Sequence, residues 1–194
     1  MPRKKAYDRD QVLDKAMNLF WLQGYHTTSI RELEKEMGIN QFSIYAEFEN
    51  KQGVFVAALN KYMDLNKTVI LKGLIESQGQ LKDIKTFFQG FIKAVRSGQA
   101  PNGCLFTNTT VEIGKTVPEV QKQLRGFFNL LRDIYSDLLQ KAQAKGELSA
   151  KSDIKKLSHY LVGVTEGLAV TAKVLRPEEL NDFVDISLSF IKSN

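Results

Sequence analysis

The segment between residues 28 and 51 holds side chains that could bind a nucleic acid through its bases. Gln41 carries an amide that can pair with adenine through two hydrogen bonds. The hydroxyl of Ser43 can donate to a base edge or accept from one. Phe42 could either press on a thymine methyl or pack on the first helix of the chain, and we favour the thymine contact. These residue types together predict base readout from one short segment.

Two further side chains in this segment suit phosphate groups. Thr28 falls near a helix start, where its hydroxyl and the free backbone N–H groups could hold a phosphate oxygen, or where it could serve only as a cap. Lys51 falls in the first turn of a later helix, so its charge would add to the positive end of that helix dipole. The basic tail is either a phosphate-contacting arm or a solvated chain end; it comprises Arg3, Lys4 and Lys5.

Two short helices joined by a tight turn would position these side chains. The first helix has one apolar face at helical spacing, formed by Ile30, Leu33 and Met37. Gly38 suits the positive φ at which helices commonly end, and Asn40 is a good N-cap for a second helix over residues 41–48. Ile44 and Phe48 would turn inward, leaving Gln41, Phe42, Ser43 and Tyr45 outside. This is a helix-turn-helix, and Asn40 at its turn joins the candidate DNA contacts.

At this point the sequence resembles the tetracycline-repressor (TetR) family of bacterial transcription regulators. The matching stretches are Thr27-Thr28-Ser29-Ile30, Met37-Gly38-Ile39-Asn40, Ser43-Ile44-Tyr45-Ala46-Glu47-Phe48 and Asn50-Lys51. The resemblance implies that Thr28 and Tyr45 bind the phosphate backbone. The chain departs from the usual family pattern at two places in the second helix, which is the recognition helix. Phe42 stands where the family usually has a small residue, and Ala46-Glu47 stands where an aromatic or histidine pair is often seen. Glu47 near phosphates would be repelled, so we expect it to face sideways or to pair with a lysine.

The charge of the chain does not by itself indicate DNA binding. The net charge is +5, yet residues 1–51 hold eight basic and eight acidic side chains. Positive charge must therefore act locally, at helix N-termini and single lysines, if this segment binds DNA.

Helical periodicity over the remaining chain predicts an all-α protein of about nine helices. Asp8, the Ser29–Glu32 capping-box pair, Asn50 and Asp153 are suitable helix starts. We expect a three-helix DNA-binding domain over residues 1–51 and a helical effector-binding and dimerisation domain over 52–194. The fourth helix is predicted to run unbroken from Asn50 to about Ser77 and so to couple the two domains. A single cysteine, no signal peptide and no long apolar run favour a cytoplasmic protein.

A candidate effector pocket lies in the second domain, mainly by the resemblance. Its predicted lining is Phe87, Phe91, Cys104, Asn108, Phe127 and Leu131. Such residues are more often core, and an effector that fits them would be a small apolar or aromatic molecule. Cys104 follows Gly103 at a helix start, which could lower the thiol pKa and create an oxidant or electrophile sensor. Alternatively, Cys104 is a small buried residue.

The last two helices are apolar over wide arcs, which favours a homodimer over a monomer. The predicted interface residues are Leu157, Leu161, Val164, Phe183 and Ile186. Two recognition helices related by a two-fold axis could read a palindrome in successive major grooves.

The leading hypothesis is a ligand-responsive, sequence-specific DNA-binding repressor that an effector releases from a palindromic operator. An enzyme is disfavoured because no nucleophile–base–orienter set stands out. No cofactor or metal is expected, since the chain offers only His26, His159 and one cysteine as soft ligands. A helical module that binds protein remains the third alternative, and a weak salt dependence of binding would identify it.

Overall fold

A computed structural model describes residues 7–193 and confirms the all-α prediction. No strand occurs within this range. The ten helices are α1 (Arg9–Gln23), α2 (Ile30–Met37), α3 (Gln41–Phe48), α4 (Lys51–Leu65), α5 (Lys72–Ile75), α6 (Leu81–Arg96), α7 (Leu105–Ile113), α8 (Pro118–Ala144), α9 (Ile154–Thr171) and α10 (Pro177–Ser193). The basic tail, with the choice between arm and solvated end, lies outside the described residues.

The chain forms two compact units. Among the described residues, the first contains residues 7–65 together with 108–124, and the second contains residues 66–107 and 125–193. The predicted boundary after residue 51 therefore falls inside the first unit. The division also passes through α7, whose residues 105–107 belong to the second unit and 108–113 to the first. In the described residues, no helix has the length and apolar character needed to cross a membrane.

Local capping interactions explain where the helices of the first unit begin and end. The Asp8 carboxylate accepts from the backbone N–H groups of residues 10 and 11, and Asn40 accepts from Ser43 N. Ser29 and Glu32 form the predicted capping box, and Gly38 ends α2 in the left-handed conformation at φ 70°. Asn50 Oδ1 accepts from Gly53 N at 2.9 Å at the start of α4. These five sequence predictions are confirmed.

The prediction of one unbroken helix from Asn50 to Ser77 is wrong. The α-helix α4 ends at Leu65, a π-helical turn covers Asn66–Ile70, and the short α5 follows. In this turn Leu71 N donates to Asn66 O at 2.8 Å, which inserts one extra residue into the hydrogen-bonding repeat. The apolar spacing of the segment continues through this change, so periodicity alone did not reveal it.

Each unit has its own apolar core. In the first unit, Phe20, Phe55 and Tyr25 form a ring cluster, with Phe20 and Phe55 edge to face at 4.7 Å between centroids. In the second unit, Phe106 stacks on Phe127 at 4.3 Å, and Leu131 and Tyr135 of α8 are fully buried. The ring cluster of the first unit packs the C-terminal end of α1 against α4. This packing supports the short helices that follow α1.

Candidate nucleic-acid interface

Helix α3 presents an outward face of large polar and aromatic side chains. Ile44 and Phe48 are buried, at 0% and 5% exposure, and hold the opposite face against the first unit. As a result Phe42 is 81% exposed and Tyr45 is 47% exposed. The alternative that Phe42 packs on the first helix is therefore wrong. The contact of Phe42 with a thymine methyl stays a prediction.

The polar residues at the ends of α3 are oriented by charged neighbours. The Gln41 side-chain amide donates to Glu34 Oε2 at 3.1 Å, so its second amide hydrogen and its carbonyl oxygen remain available for a base. Glu47 accepts from Arg9 Nε at 2.8 Å. The expected sideways pairing of Glu47 is therefore present, but with an arginine rather than a lysine. This pairing offsets the negative charge next to the exposed face of α3.

Thr28 does not present its hydroxyl to the exterior, as the phosphate prediction required. Its side chain is completely buried, and Oγ1 donates to Gly24 O at 2.7 Å. The hydroxyl thus closes the turn between α1 and α2. The cap of α2 comes from Ser29, one residue later, which is why the threonine is free to make this internal bond. The predicted phosphate contact through the Thr28 hydroxyl is corrected accordingly.

Lys51 also serves the turn between α1 and α2. Its ammonium donates to Tyr25 O and to Thr28 O, each at 2.9 Å, and lies 4.4 Å from the centroid of the Tyr25 ring. A lysine ammonium has three donors, so these two hydrogen bonds leave one. The side chain is only partly exposed. The structure therefore assigns Lys51 a structural contact within the unit that sequence reasoning did not anticipate.

A carboxylate from α7 holds the same turn. Glu112 Oε2 accepts from Tyr25 N at 2.9 Å, and Glu112 Oε1 accepts from His26 N at 2.7 Å. Partial burial raises the pKa of the Tyr25 phenol. Sequence reasoning did not identify this contact of Glu112. No local pattern could have found this contact, because 87 residues separate Tyr25 from Glu112.

In the second unit, the predicted pocket residues include a buried thiol. Cys104 is 8% exposed, and burial together with the nearby Glu166 carboxylate raises its pKa. This is opposite to the shift that a reactive thiolate needs. The geometry thus favours the buried-residue interpretation of Cys104 over the sensor interpretation.

Glu166 is the centre of a polar cluster that sequence reasoning missed. Its Oε2 accepts from Thr107 Oγ1 at 2.8 Å, while Oε1 is buried without a hydrogen-bond partner among residues 7–193. Burial raises the pKa of this carboxyl. Tyr135 OH and Thr165 Oγ1 are 2.7 Å apart, and burial raises the pKa of this phenol also. A glutamate between Gly163 and Gly167, as the one charged residue in the second half of α9, was the available signal.

The other predicted pocket residues are divided between core and surface. Phe127 and Leu131 are buried, while Phe87 and Phe91 are half-buried on α6. Asn108 is half-buried and belongs to the first unit, unlike the other five residues of the predicted set. The pocket itself stays a prediction.

The predicted dimer surface requires correction at three positions. Leu157, Leu161 and Val164 are at most 4% exposed within the single chain, so they face its own core and cannot contact a partner. Phe183 and Ile186 are exposed, at 40% and 71%. Further large apolar side chains are exposed near the C-terminal end of α9, in the turn after it and on α10, namely Val170, Val174 and Phe190. We call these last three residues with Phe183 and Ile186 the α9/α10 apolar strip.

Comparison with known proteins gives matches over both parts of the chain. Residues 12–58 match the family model described as bacterial regulatory proteins, tetR family, and residues 80–184 match the model of a tetracyclin repressor-like C-terminal domain. The HTH-type transcriptional repressor ComR of Escherichia coli is 29% identical over 172 residues, which cover 88% of this chain and 82% of ComR. The uncharacterized HTH-type transcriptional regulator YezE of Bacillus subtilis is 30% identical over 194 residues, covering 98% of this chain and all of YezE.

A solved structure of similar fold contains DNA. It is a cysteine mutant of the TetR family regulator CifR complexed with 26-base-pair operator DNA, with a TM-score of 0.83 and 27% identity, covering 96% of this chain and 98% of CifR. The exposed α3 face thus occurs in a fold of known DNA-binding regulators. From the family matches and the similarity to YezE along nearly its whole length, the chain belongs to the TetR family, and it is a DNA-binding transcriptional regulator rather than an enzyme.

Proposed function

We propose that this regulator is a cytoplasmic homodimeric repressor that leaves a palindromic operator when a small-molecule effector binds its second unit. The observation that carries DNA readout is the exposed face of α3, set by the burial of Ile44 and Phe48 on its other side. ComR is described as a repressor, and CifR has been solved on operator DNA, which supports repression by this chain.

The base-reading residues are proposed to be Gln41, Phe42 and Ser43, with Tyr45 on the phosphate backbone. Phe42 supplies an apolar surface for a thymine methyl, and Gln41 keeps an acceptor and a donor for an adenine edge. Asn40 uses its side chain as the cap of α3, so its contribution to DNA binding is to orient that helix. Lys51 retains one donor for a phosphate after its two internal hydrogen bonds.

Effector binding is proposed for the part of the second unit around Glu166. The unpaired Oε1 is a buried acceptor, and a buried polar atom without a partner is costly unless a ligand or water satisfies it. Phe127 stacks on Phe106 next to this region of the chain and supplies an aromatic surface. We therefore propose an effector with an apolar or aromatic body and one hydrogen-bond donor, and Phe87 and Phe91 as further candidates for its lining.

The homodimer is proposed to form through the α9/α10 apolar strip. Five large apolar side chains are exposed on α9, on the turn after it and on α10, and monomeric proteins seldom leave a large apolar surface in water. A two-fold interface here would be isologous, with the strip of one copy covered by the strip of the other. Two α3 helices related by that axis would match the symmetry of a palindrome.

Selection of bound duplexes from a random DNA pool, at about physiological salt, tests the DNA-binding part of this proposal. We expect enrichment of one palindromic sequence. The enriched duplex then serves as the probe in a release screen with compounds that share one aromatic body and differ in bearing an amine, a hydroxyl or neither.

The test variant for the release screen is Glu166→Gln, which keeps the size of the side chain and removes its charge. A donor-bearing compound should release the wild-type protein from DNA, and the variant should need more of it. Selection without an enriched sequence would contradict specific operator binding. Equal release by all three compounds, or none by either donor-bearing compound, would contradict the proposed effector chemistry alone.

A further inference from the structure

The first unit includes a segment of α7 that the DNA-binding family model does not cover. That model matches residues 12–58, whereas residues 108–124 pack into the same compact unit. The helix-turn-helix is therefore one part of a composite unit. In this second segment, Glu112 of α7 contacts the turn between α1 and α2, and Glu119 of α8 accepts from Gln52 of α4.

The Glu112 carboxylate makes a two-point contact with this turn. Each of its oxygens accepts from one backbone N–H, from Tyr25 at 2.9 Å and from His26 at 2.7 Å. Bonds from a neutral donor to a charged acceptor are stronger than neutral pairs, and two of them also fix orientation. Gly24 makes room for the carboxylate, since a Cβ at this residue would lie 2.8 Å from Glu112 Oε2. Gly24 also has φ at 86°, which disfavours any other residue here.

The same turn is held on its carbonyl side by groups of the helix-turn-helix segment. Lys51 binds Tyr25 O and Thr28 O, and the Thr28 hydroxyl binds Gly24 O. The turn is thus fixed by a cation through its carbonyls and by an anion through its N–H groups. Ser29, which caps α2, follows directly, so the position of the turn determines where α2 begins.

We propose that Glu112 is a positioning residue for DNA binding, through which α7 holds the α1–α2 turn in the form that binds the operator. Glu112 lies in the last turns of α7, which is continuous from Leu105 to Ile113, so the carboxylate that holds the turn is itself fixed on a helix. The positioning role concerns the first unit alone and does not rest on the proposed effector response.

The test compares Glu112→Gln and Glu112→Ala with Glu119→Gln and Glu119→Ala. Glu119 is a matched control because it is exposed, lies in the same segment and accepts one hydrogen bond, from Gln52 at 2.9 Å. Each pair removes the same charge. Gln at 112 keeps one acceptor oxygen, whereas Ala keeps none, so the two variants should form a graded series. The readouts are amide hydrogen exchange at Tyr25 and His26, and affinity for the selected operator and for a random duplex of equal length.

We expect faster exchange at both amides in the Glu112 variants and not in the Glu119 variants. Operator affinity should fall about tenfold for Glu112→Ala and less for Glu112→Gln, from the loss of charge-assisted hydrogen bonds. Affinity for the random duplex should stay within about twofold of the matched Glu119 variant, because no phosphate-neutralising cation is removed. A merely structural role would lower both affinities together.

Two outcomes would overturn the proposal. In the first, the amides of Tyr25 and His26 exchange faster in Glu112→Ala while operator affinity is unchanged, so the contact exists without affecting DNA binding. In the second, affinity falls equally for the operator and the random duplex. Should Glu112→Ala not fold, Glu112→Gln alone decides between these results. No effector is used, so failure of the proposed effector response leaves the test intact.

Discussion

Replacing Lys51 by Met separates its structural role from its proposed phosphate contact. Methionine keeps an unbranched apolar stem but removes the ammonium that donates to Tyr25 O and Thr28 O, each at 2.9 Å. The contact of that ammonium with the Tyr25 ring, 4.4 Å from its centroid, is lost as well. The variant therefore removes one side of the contacts that hold the α1–α2 turn.

The expected loss can be worked from these contacts. Hydrogen bonds to a charged group contribute about 1.5–3 kcal/mol each, and the lower end applies because Lys51 is partly exposed and water can replace some of the lost bonding. For the two hydrogen bonds together we therefore expect the free energy of unfolding to fall by about 3 kcal/mol. In a chain of this size that corresponds to a decrease in Tm of about 6–12 °C.

The assay is thermal unfolding at fixed protein concentration, with Lys35→Met as the control. Lys35 is an exposed residue of α2, so this variant removes the same charge from the surface of the same unit. A pure phosphate contact predicts a different result: the slope of log affinity against log salt becomes shallower by about 0.9, with no loss of stability. A Tm for Lys51→Met equal to that of Lys35→Met would refute the reasoning from the turn contacts.

Three further predictions concern the other candidate residues. The raised pKa of Glu166 means that the folded state binds the carboxyl proton more tightly than the unfolded state does, so wild-type stability falls as pH rises from the ordinary pKa of 4.5 towards the raised folded value. Urea unfolding should therefore show that Glu166→Gln is more stable relative to wild type at pH 8 than at pH 5. A difference in stability that does not change with pH would contradict this. Ile186→Glu places a charge in the α9/α10 apolar strip, so sedimentation should detect a weaker dimer, while the same change at the exposed Gln89 of α6 should have no such effect. Tyr45→Phe removes a hydroxyl from an exposed ring. DNA affinity should fall about fivefold, and by a similar factor for every DNA sequence, because the lost contact is a neutral hydrogen bond to a phosphate. A loss confined to one base position would instead place Tyr45 among the base-reading residues.

The helix-turn-helix was largely predictable because its signals are local. Ser29 with Glu32, Gly38 and Asn40 act on backbone groups within a few residues of themselves, so their spacing carries the information. The break after Leu65 was not predictable in the same way. A π-helical turn adds one residue to the repeat and leaves the segment helical and apolar, so no residue type signals it.

The dimer prediction shows a different limit of pattern reasoning. The apolar arcs on α9 and α10 predicted that both helices are covered, but they did not show which residues the chain itself covers. Leu157 and Leu161 face the core of the single chain, whereas Ile186 is 71% exposed. A helical pattern identifies which residues avoid water, and only the packed structure shows which arc the same chain already covers.

The sequence by itself determined the family, the all-α class and the outward face of α3, because caps and helical periodicity depend on residues at most a few positions apart. Only the tertiary structure decided the uses of Lys51, Glu112 and Glu166. Lys51 binds carbonyls 23 and 26 residues earlier, and Glu112 binds N–H groups 86 and 87 residues away. The partner of a charged side chain is chosen by what folding places within about 3 Å of it, and that distance is not encoded in local spacing.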